Sequence, residues 1–200
     1  MGSAPASLES VCVFCGSSEA ADADFLADAR AFGQILARAG LRMIYGGGGV
    51  GLMGACARAA HEAGGDVLGV IPGFLIARER AYDEVETVVV ESMHQRKQMM
   101  FENADGFVVL PGGVGTLEEV VEILSWRRLD LHAKPVVFHN PKGYWRPLFD
   151  LFQHTIDQNL TPPSFARAWA AVDRVEDILP TLRGHKLPGP DTAEAAMRLT

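Results

Sequence analysis

The sequence predicts a single doubly wound α/β domain, Rossmann-like in its alternation of strands and helices. Short, nearly continuous apolar runs alternate with segments of helical periodicity, which is typical of a parallel sheet covered by helices on both faces. Several of these runs end in turns that contain glycine. The chain has 200 residues, of which 48% are hydrophobic, and this is enough to bury one full core.

The first half of the chain predicts four strands and three helices. The helix at 22–39 has apolar residues at the spacing of one helical face, and Gly40 follows as its stop. In order, the predicted elements are a strand at 10–15, the helix at 22–39, a strand at 41–45, a helix at 50–63, strands at 67–71 and 85–90, and a helix at 92–103. The polar segment 74–84 is expected to be a solvated loop.

The second half continues the same alternation to the end of the domain. Its predicted elements are a strand at 107–110, a helix at 116–129, a strand at 135–139, a helix at 145–158, a short apolar piece at 168–172 and a helix at 175–182. The sheet is thus expected to have six strands, or seven if the piece at 168–172 is a strand. We expect the domain to span 10–183. Residues 1–9 are expected to be flexible, as is the tail 184–200, which has two prolines and many small residues.

Composition argues against several functions and locations. No apolar run approaches the roughly 18 residues of a membrane span, and the first ten residues lack the basic and apolar stretches of a signal peptide. A myristoylation signal at Gly2 would need serine or threonine at the position of Ala6. The formal net charge of −7 argues against affinity for nucleic acid or anionic membrane. We therefore expect a cytoplasmic protein.

The three cysteines are expected to be core thiols. Cys12 and Cys15 share a predicted strand, where a spacing of three residues directs them to opposite faces, and Cys56 lies in a predicted helix. The pair lacks the second pair of ligands that a zinc site would need. The sequence therefore predicts no metal site.

The stretch from 106 to 121, GFVVLPGGVGTLEEVV, predicts a strand, a tight glycine loop and a helix. Glycines at such a turn let backbone N–H groups approach a ligand, and the helix directs its unpaired N–H groups to the same place. This arrangement predicts a binding site for a phosphate or carboxylate. The structural alternative is a capping box, with Thr116 as N-cap and Glu119 as its reciprocal partner. The spacing alone does not decide between them.

A second glycine-rich turn follows the strand at 41–45. Gly49, Gly51 and Gly54 fit the G-x-G-x-x-G pattern of dinucleotide sites. That fingerprint also needs an acidic residue at the end of the next strand, whereas Asp66 stands at its beginning. We therefore expect no nicotinamide cofactor. Two similar GGVG loops remain, at 48–51 and 112–115, and they suit one mononucleotide better than a long cofactor.

The helix at 92–103 places two cations on a face with methionines. Met93, Arg96, Lys97 and Met100 are spaced at i, i+3, i+4 and i+7. This pattern favours cations directed at an anionic ligand. The alternative is that both side chains lie at the rim of a packed helix with their charges in water. His94 is interpreted as structural.

Five motifs together resemble the LOG family of cytokinin-activating phosphoribohydrolases. They are CGSS (15–18), YGGGGVGLMG (45–54), MHQRK (93–97), PGGVGTLEE (111–119) and HAKPV (132–136), in family order. The resemblance implies hydrolysis of the N-glycosidic bond of AMP or an isoprenoid-modified AMP, giving free base and ribose 5-phosphate. It also implies a homodimer, with no metal and no cofactor. Relatives are often labelled lysine decarboxylases, but no lysine here is placed to carry pyridoxal phosphate.

The resemblance also assigns residues to the site. It implies catalytic roles for Arg96 and Glu119, and substrate binding by Lys97. The other substrate-binding residues that it implies are Glu79, Gly113, Val114, Gly115, Thr116, Leu117, Glu118 and Ser125. Ser125 stands where the family has a threonine, and the loop that contains Glu79, IPGFLIARERAY, departs from the common family form. A non-catalytic carrier of a nucleotide or pterin cofactor on the same fold is the alternative function.

Overall fold

A computed structural model describes residues 8–184. The strands are β1 (Ser10–Phe14), β2 (Arg42–Tyr45), β3 (Val67–Pro72), β4 (Glu86–Val90), β5 (Gly106–Val109), β6 (Val136–His139) and β7 (Ala170–Val172). The helices are α1 (Ala23–Arg38), α2 (Gly51–Glu62), α3 (Met93–Asn103), α4 (Val114–Arg128), α5 (Arg146–Asp157) and α6 (Ile178–Gly184). Strand–helix alternation thus continues through the whole described part of the chain.

All seven strands form one sheet in the order β4-β3-β2-β1-β5-β6-β7, and every neighbouring pair is parallel. Strand order reverses at β1, which pairs with β2 on one side and with β5 on the other. In register, Cys12 of β1 lies opposite Ile44 of β2 and Phe107 of β5. The predicted doubly wound α/β sheet is confirmed. Its reversal point is the place where such sheets bind ligands, beyond the carboxyl ends of the strands.

Two hydrophobic layers enclose the sheet, and adjacent residues of β1 belong to different layers. Val11 and Val13 pack in the layer with α1, α2 and α6, whereas Cys12 packs in the layer with α3, α4 and α5. Cys15 belongs to the first layer, so the prediction that it and Cys12 lie on opposite faces is confirmed. All three thiols are buried and free, and burial raises the pKa of Cys56 to about 12.

Most predicted elements are confirmed within two residues at each end. Asp22 and Ser92 are the N-caps of α1 and α3, because their side chains accept hydrogen bonds from the amides of Asp24 and Gln95. The predicted helix at 175–182 divides into a 3-10 turn, Val175–Asp177, and α6. The apolar piece at 168–172 forms a shorter strand, because a preceding 3-10 turn occupies its beginning.

The ends predicted to be flexible, 1–9 and 184–200, lie almost entirely outside the described residues. The part of the first segment that is described contacts the domain: Leu8 packs against the first core layer, and the Glu9 amide donates to Asp105 over 3.0 Å. Within residues 8–184, no helix is long and apolar enough to cross a membrane, and no group of three His, Cys, Asp or Glu side chains could hold a metal ion.

Candidate active site

The loops that leave β1 and β5 meet at the point where strand order reverses. The Gly16 amide donates to the Pro111 carbonyl over 3.0 Å, which joins the two loops directly. A Cβ at Gly16 would come within 3.2 Å of the Gly112 Cα, so a side chain there would force the loops apart. This close approach places the Pro111 loop at the reversal point, beside the carboxyl end of β1.

The two GGVG loops have different structural roles, although their sequences match. At the start of α2, the amides of Leu52 and Met53 both donate to the Gly16 carbonyl, over 3.0 and 3.3 Å. In the loop itself, the Gly49 amide donates to the Glu79 carbonyl. The first loop is therefore closed by protein groups, because a carbonyl already occupies the end of its helix.

The second GGVG loop leaves its helix end open. Gly113 is the N-cap of α4, and the first hydrogen bond of the helix runs from the Leu117 amide to the Gly113 carbonyl. The amides of residues 114–116 in the first turn therefore have no acceptor within the helix. A Cβ at Gly113 or Gly115 would meet no atom within 4 Å, and Val114 is 83% exposed. We call residues 113–116 the phosphate seat after the ligand that the sequence predicts for this loop, since an open helix N-terminus attracts anions.

The capping-box interpretation of Thr116 and Glu119 is wrong. The helix begins at Val114, two residues before the predicted start, so Thr116 is its third residue and cannot be the N-cap. The extended backbone of Gly113 makes the cap without a side-chain hydrogen bond. Both Thr116 and Glu119 are buried, at 3% and 9% exposure. Glu119 is thus available for a role other than capping.

Arg96 is buried beside Glu119, which rules out its placement at a solvated rim. The Arg96 side chain donates through Nη2 to the Gly46 carbonyl over 3.1 Å, and its Nη1 lies 3.9 Å from Glu119 Oε1. The residue is only 5% exposed. A Cβ at Gly46 would lie 1.9 Å from Nη2, so this position must be glycine for the guanidinium to fit. Met100, on the same helix face, is buried, whereas Met93 is exposed.

The environment of Glu119 perturbs its ionisation. Its pKa is raised to about 7: burial is the main cause, the charge of Arg96 acts in the opposite direction, and the charges of Glu118 and Glu79 add to the rise. Glu79 itself has a buried Oε2 with no hydrogen-bond partner among the described residues. That atom would lie 3.1 Å from a Cβ at Gly48, which places Glu79 against the first glycine loop. Glu79, Arg96 and Glu119 therefore share one electrostatic environment.

Other predicted site residues lie around this group rather than in it. Lys97 pairs with Glu118 and with Glu122, at 2.9 Å from the latter, and so links α3 to α4. Ser125 is exposed and lies seven residues after Glu118, on the same face of α4. Leu117 packs against the second core layer. Among the predicted site residues, the buried pair is thus Arg96 and Glu119, and Glu79 acts on Glu119 through its charge.

Two groups that complete the site were not predicted. One is the Gly46 carbonyl, which holds Arg96; its only sequence signal is the run of four glycines after β2. The other is Tyr144, whose hydroxyl donates to the Gly112 carbonyl over 2.7 Å. Tyr144 lies 32 residues from Gly112 in the chain, so no local spacing could have identified it.

A separate cavity of about 340 Å³ lies beside the first glycine loop, which forms part of its wall. It is lined by Glu19, Gly49, Val50, Arg58, Arg80, Ala81 and Tyr82. The guanidinium of Arg58 stands 5.6 Å from the ring centre of Tyr82, and Arg80 pairs with Glu19. None of the predicted site residues lines this cavity, so it is distinct from the Arg96–Glu119 pair.

Together these features define a doubly wound α/β protein with a buried, ionisable carboxyl group near an open helix N-terminus, at the point where strand order reverses. A family model described as possible lysine decarboxylase matches residues 53–182. A cytokinin riboside 5′-monophosphate phosphoribohydrolase of Rhodococcoides fascians is 42% identical over 178 residues, 88% of this chain and 89% of the relative. A probable one of Oryza sativa subsp. japonica is 40% identical over 191 residues, 95% and 77% of the two chains. The chain belongs to this phosphoribohydrolase family, the LOG family.

Solved structures with the same fold include proteins of another function. The molybdenum cofactor carrier protein of Chlamydomonas reinhardtii has a TM-score of 0.68 at 21% identity, over 90% of this chain and 98% of that one. A molybdenum cofactor binding protein of Rippkaea orientalis has a TM-score of 0.64 at 22% identity, with the same coverage of both chains. At these identities, the likeness shows a shared fold alone.

Proposed function

We propose that this protein hydrolyses the N-glycosidic bond of a purine nucleoside 5′-monophosphate, either AMP or an isoprenoid-modified AMP. The products are the free base and ribose 5-phosphate. The observation that supports this most directly is the buried Glu119, with a pKa of about 7, next to Arg96 and on the same helix as the phosphate seat. The names of the relatives give the same reaction class.

The phosphate seat binds the 5′-phosphate of the substrate. Several amides and the positive end of the α4 dipole converge there, and glycines at 113 and 115 leave the approach unobstructed. A local site of this kind is necessary because the protein has a net charge of −7, which repels a phosphate ester at long range. The seat therefore supplies both binding energy and orientation.

Glu119 acts at the other end of the ribose. It follows Thr116 by three residues, which is about 4.5 Å of helix rise, so it lies just beyond the seat. Breaking the bond between the anomeric carbon and the base leaves positive charge on the ribose, and the electron pair departs with the base. The Glu119 carboxylate stabilises that charge and accepts a proton from the attacking water, while the base gains a proton as it leaves.

Arg96 sets the ionisation of Glu119. Burial favours the neutral acid, and the guanidinium 3.9 Å away favours the carboxylate, so the pKa of about 7 reflects both effects. A pKa near neutrality allows one group to accept a proton in one step and return it in another. Glu79 is proposed to contact the substrate, and its buried Oε2, which has no hydrogen-bond partner among the described residues, supports this role.

Decarboxylation of lysine is not part of this proposal. A pyridoxal enzyme needs a lysine amine available to the cofactor. In the described part of the chain, Lys97 pairs with Glu118 and Glu122, Lys134 donates to the Phe101 carbonyl, and Lys142 pairs with two aspartates. All three amines are thus engaged in other contacts.

We also propose that the protein acts as a cytoplasmic homodimer. Val121 of α4, Leu129 at its C-cap and the nearby Leu131 expose apolar surface at 40%, 47% and 66%, which a second copy could cover. Trp126 and Phe101, by contrast, are partly buried against the second core layer.

The test of the reaction is direct. Purified protein is incubated with AMP and with isopentenyl-AMP, and free base is measured by chromatography. We expect base and ribose 5-phosphate in equal amounts, and we expect Glu119→Gln to release far less. If no purine monophosphate yields base while AMP still binds, a carrier function on this fold replaces hydrolysis.

A further inference from the structure

Tyr144 contacts the loop that leads into the phosphate seat. Its hydroxyl donates a hydrogen bond to the Gly112 carbonyl over 2.7 Å. Gly112 directly precedes Gly113, the N-cap of α4, so the carbonyl that Tyr144 holds belongs to the peptide group that enters the seat. None of the roles proposed above explains this contact.

Tyr144 is held in place by the turn after β6. Its ring makes edge-on contacts with Phe25 of α1 and with Trp145, at centroid distances of 5.4 and 4.9 Å. Lys142, in the same turn, pairs with Asp24 at the start of α1 over 2.6 Å. The ring is therefore fixed against α1 independently of the loop that its hydroxyl contacts.

The orientation of the Gly112–Gly113 peptide decides whether its carbonyl or its N–H faces Tyr144, and the other group then faces the phosphate seat. A trans peptide is planar, so its carbonyl and its N–H point in opposite directions. A peptide between two glycines can rotate as a unit at little steric cost. Rotation would exchange the Gly113 N–H for a carbonyl at the entrance to the seat, and a carbonyl repels a phosphate. The Tyr144 hydrogen bond opposes this rotation because it holds the carbonyl on the Tyr144 side.

We propose that Tyr144 is a positioning residue of the phosphate seat, which keeps the Gly112–Gly113 peptide in the orientation that binds a 5′-phosphate. This inference rests on the proposed function, because it assumes that the seat holds the phosphate of the substrate. Tyr144 touches a loop carbonyl and not the reacting atoms. Its effect therefore belongs to the affinity for the phosphate ester and not to the bond-breaking step.

The test is Tyr144→Phe, which keeps the ring contacts and removes the hydroxyl. We expect KM for AMP and the inhibition constant of ribose 5-phosphate to rise about 5-fold to 10-fold, as for the loss of one hydrogen bond. The kcat and the inhibition constant of adenine, which has no phosphate, should stay at the wild-type values. Tyr82→Phe is the matched control, since its hydroxyl contacts Glu84 over 3.3 Å and not the Gly112 loop. It should leave all four constants unchanged.

The outcomes separate this role from the proposed reaction. An unchanged AMP affinity in Tyr144→Phe overturns the positioning role, as does an equal loss of ribose 5-phosphate and adenine binding. If wild-type protein releases no base, the AMP affinity of wild type and of Tyr144→Phe is measured instead by calorimetric titration. A Tyr144-dependent AMP affinity would then keep the positioning role and end the proposed hydrolysis. Wild-type protein that binds no AMP would overturn both.

Discussion

Replacing Glu119 by glutamine should abolish most activity. It should also raise the stability of the fold, compared with the wild type, more at high pH than at low pH. Glu119 is buried, and its pKa is raised by burial from an ordinary 4.5 to about 7. A pKa difference of one corresponds to about 1.4 kcal/mol. Ionising this carboxyl in the folded protein therefore costs roughly 3 kcal/mol more than ionising it in the unfolded chain. Glutamine has nearly the same size but never ionises. The variant therefore avoids this cost at every pH.

The sign of the effect follows from proton linkage. The folded protein keeps the proton on Glu119 to a higher pH than the unfolded chain does. The contribution of this group to stability is thus fully present below pH 4.5 and is lost as the pH rises through 7. The charge of Arg96 is already included in the pKa of about 7, because it favours the carboxylate and so offsets part of the cost of burial. The difference in unfolding free energy between variant and wild type should therefore shift by roughly 3 kcal/mol in favour of the variant between pH 5 and pH 8.

The assay is thermal unfolding of both proteins at pH 5 and pH 8, with AMP hydrolysis measured in parallel. For a domain of this size, roughly 3 kcal/mol corresponds to a relative gain in Tm of about 6 to 12 °C for the variant. Turnover should fall roughly 100-fold or more, as expected for loss of one preorganised charged group. Glu122→Gln, one turn further along α4 and paired with Lys97, is the matched control.

Two results would refute this reasoning. A Tm difference that is constant with pH would mean that Glu119 does not carry a raised pKa in the folded protein. Turnover near the wild-type level would move the catalytic carboxylate elsewhere, and Glu79 would be the first candidate, because its buried Oε2 has no partner among the described residues.

Three further predictions concern the seat, Arg96 and assembly. Adenosine should be a much poorer substrate than AMP because it cannot use the helix end; equal kcat/KM values would contradict the phosphate seat. In Gly46→Ala, a Cβ 1.9 Å from Arg96 Nη2 should displace the guanidinium, lower turnover about 10-fold and shift the pH profile of kcat/KM upward, because Arg96 lowers the pKa of Glu119. An unchanged profile would argue against the pairing. Sedimentation should give a mass of two 21.6 kDa chains, and a single-chain mass at micromolar concentration would exclude the homodimer.

Local patterns in the sequence were sufficient for the fold class, and the family resemblance of two short motifs made Arg96 and Glu119 the candidate catalytic residues. Strand and helix signals lie within contiguous residues, so their alternation predicted a parallel sheet of six or seven strands, and the structure has seven. Arg96 and Glu119 each belong to a short motif and were identified from it. Helix ends were predicted less accurately, as the start of α4 shows. Its N-cap is the extended backbone of Gly113, and no residue type indicates that conformation in the sequence.

Only the tertiary structure showed the surroundings of each of these residues. The two GGVG loops have the same sequence, but only the first is closed. The Gly16 carbonyl, in the loop after β1, accepts hydrogen bonds from the start of α2 and not from the start of α4. The raised pKa of Glu119 comes from burial, and its Arg96 partner is held by a carbonyl 50 residues away in the chain. Such contacts depend on strand order, which brings β1 between β2 and β5. Local periodicity contains no information about which distant atoms meet, so only the assembled sheet could show them.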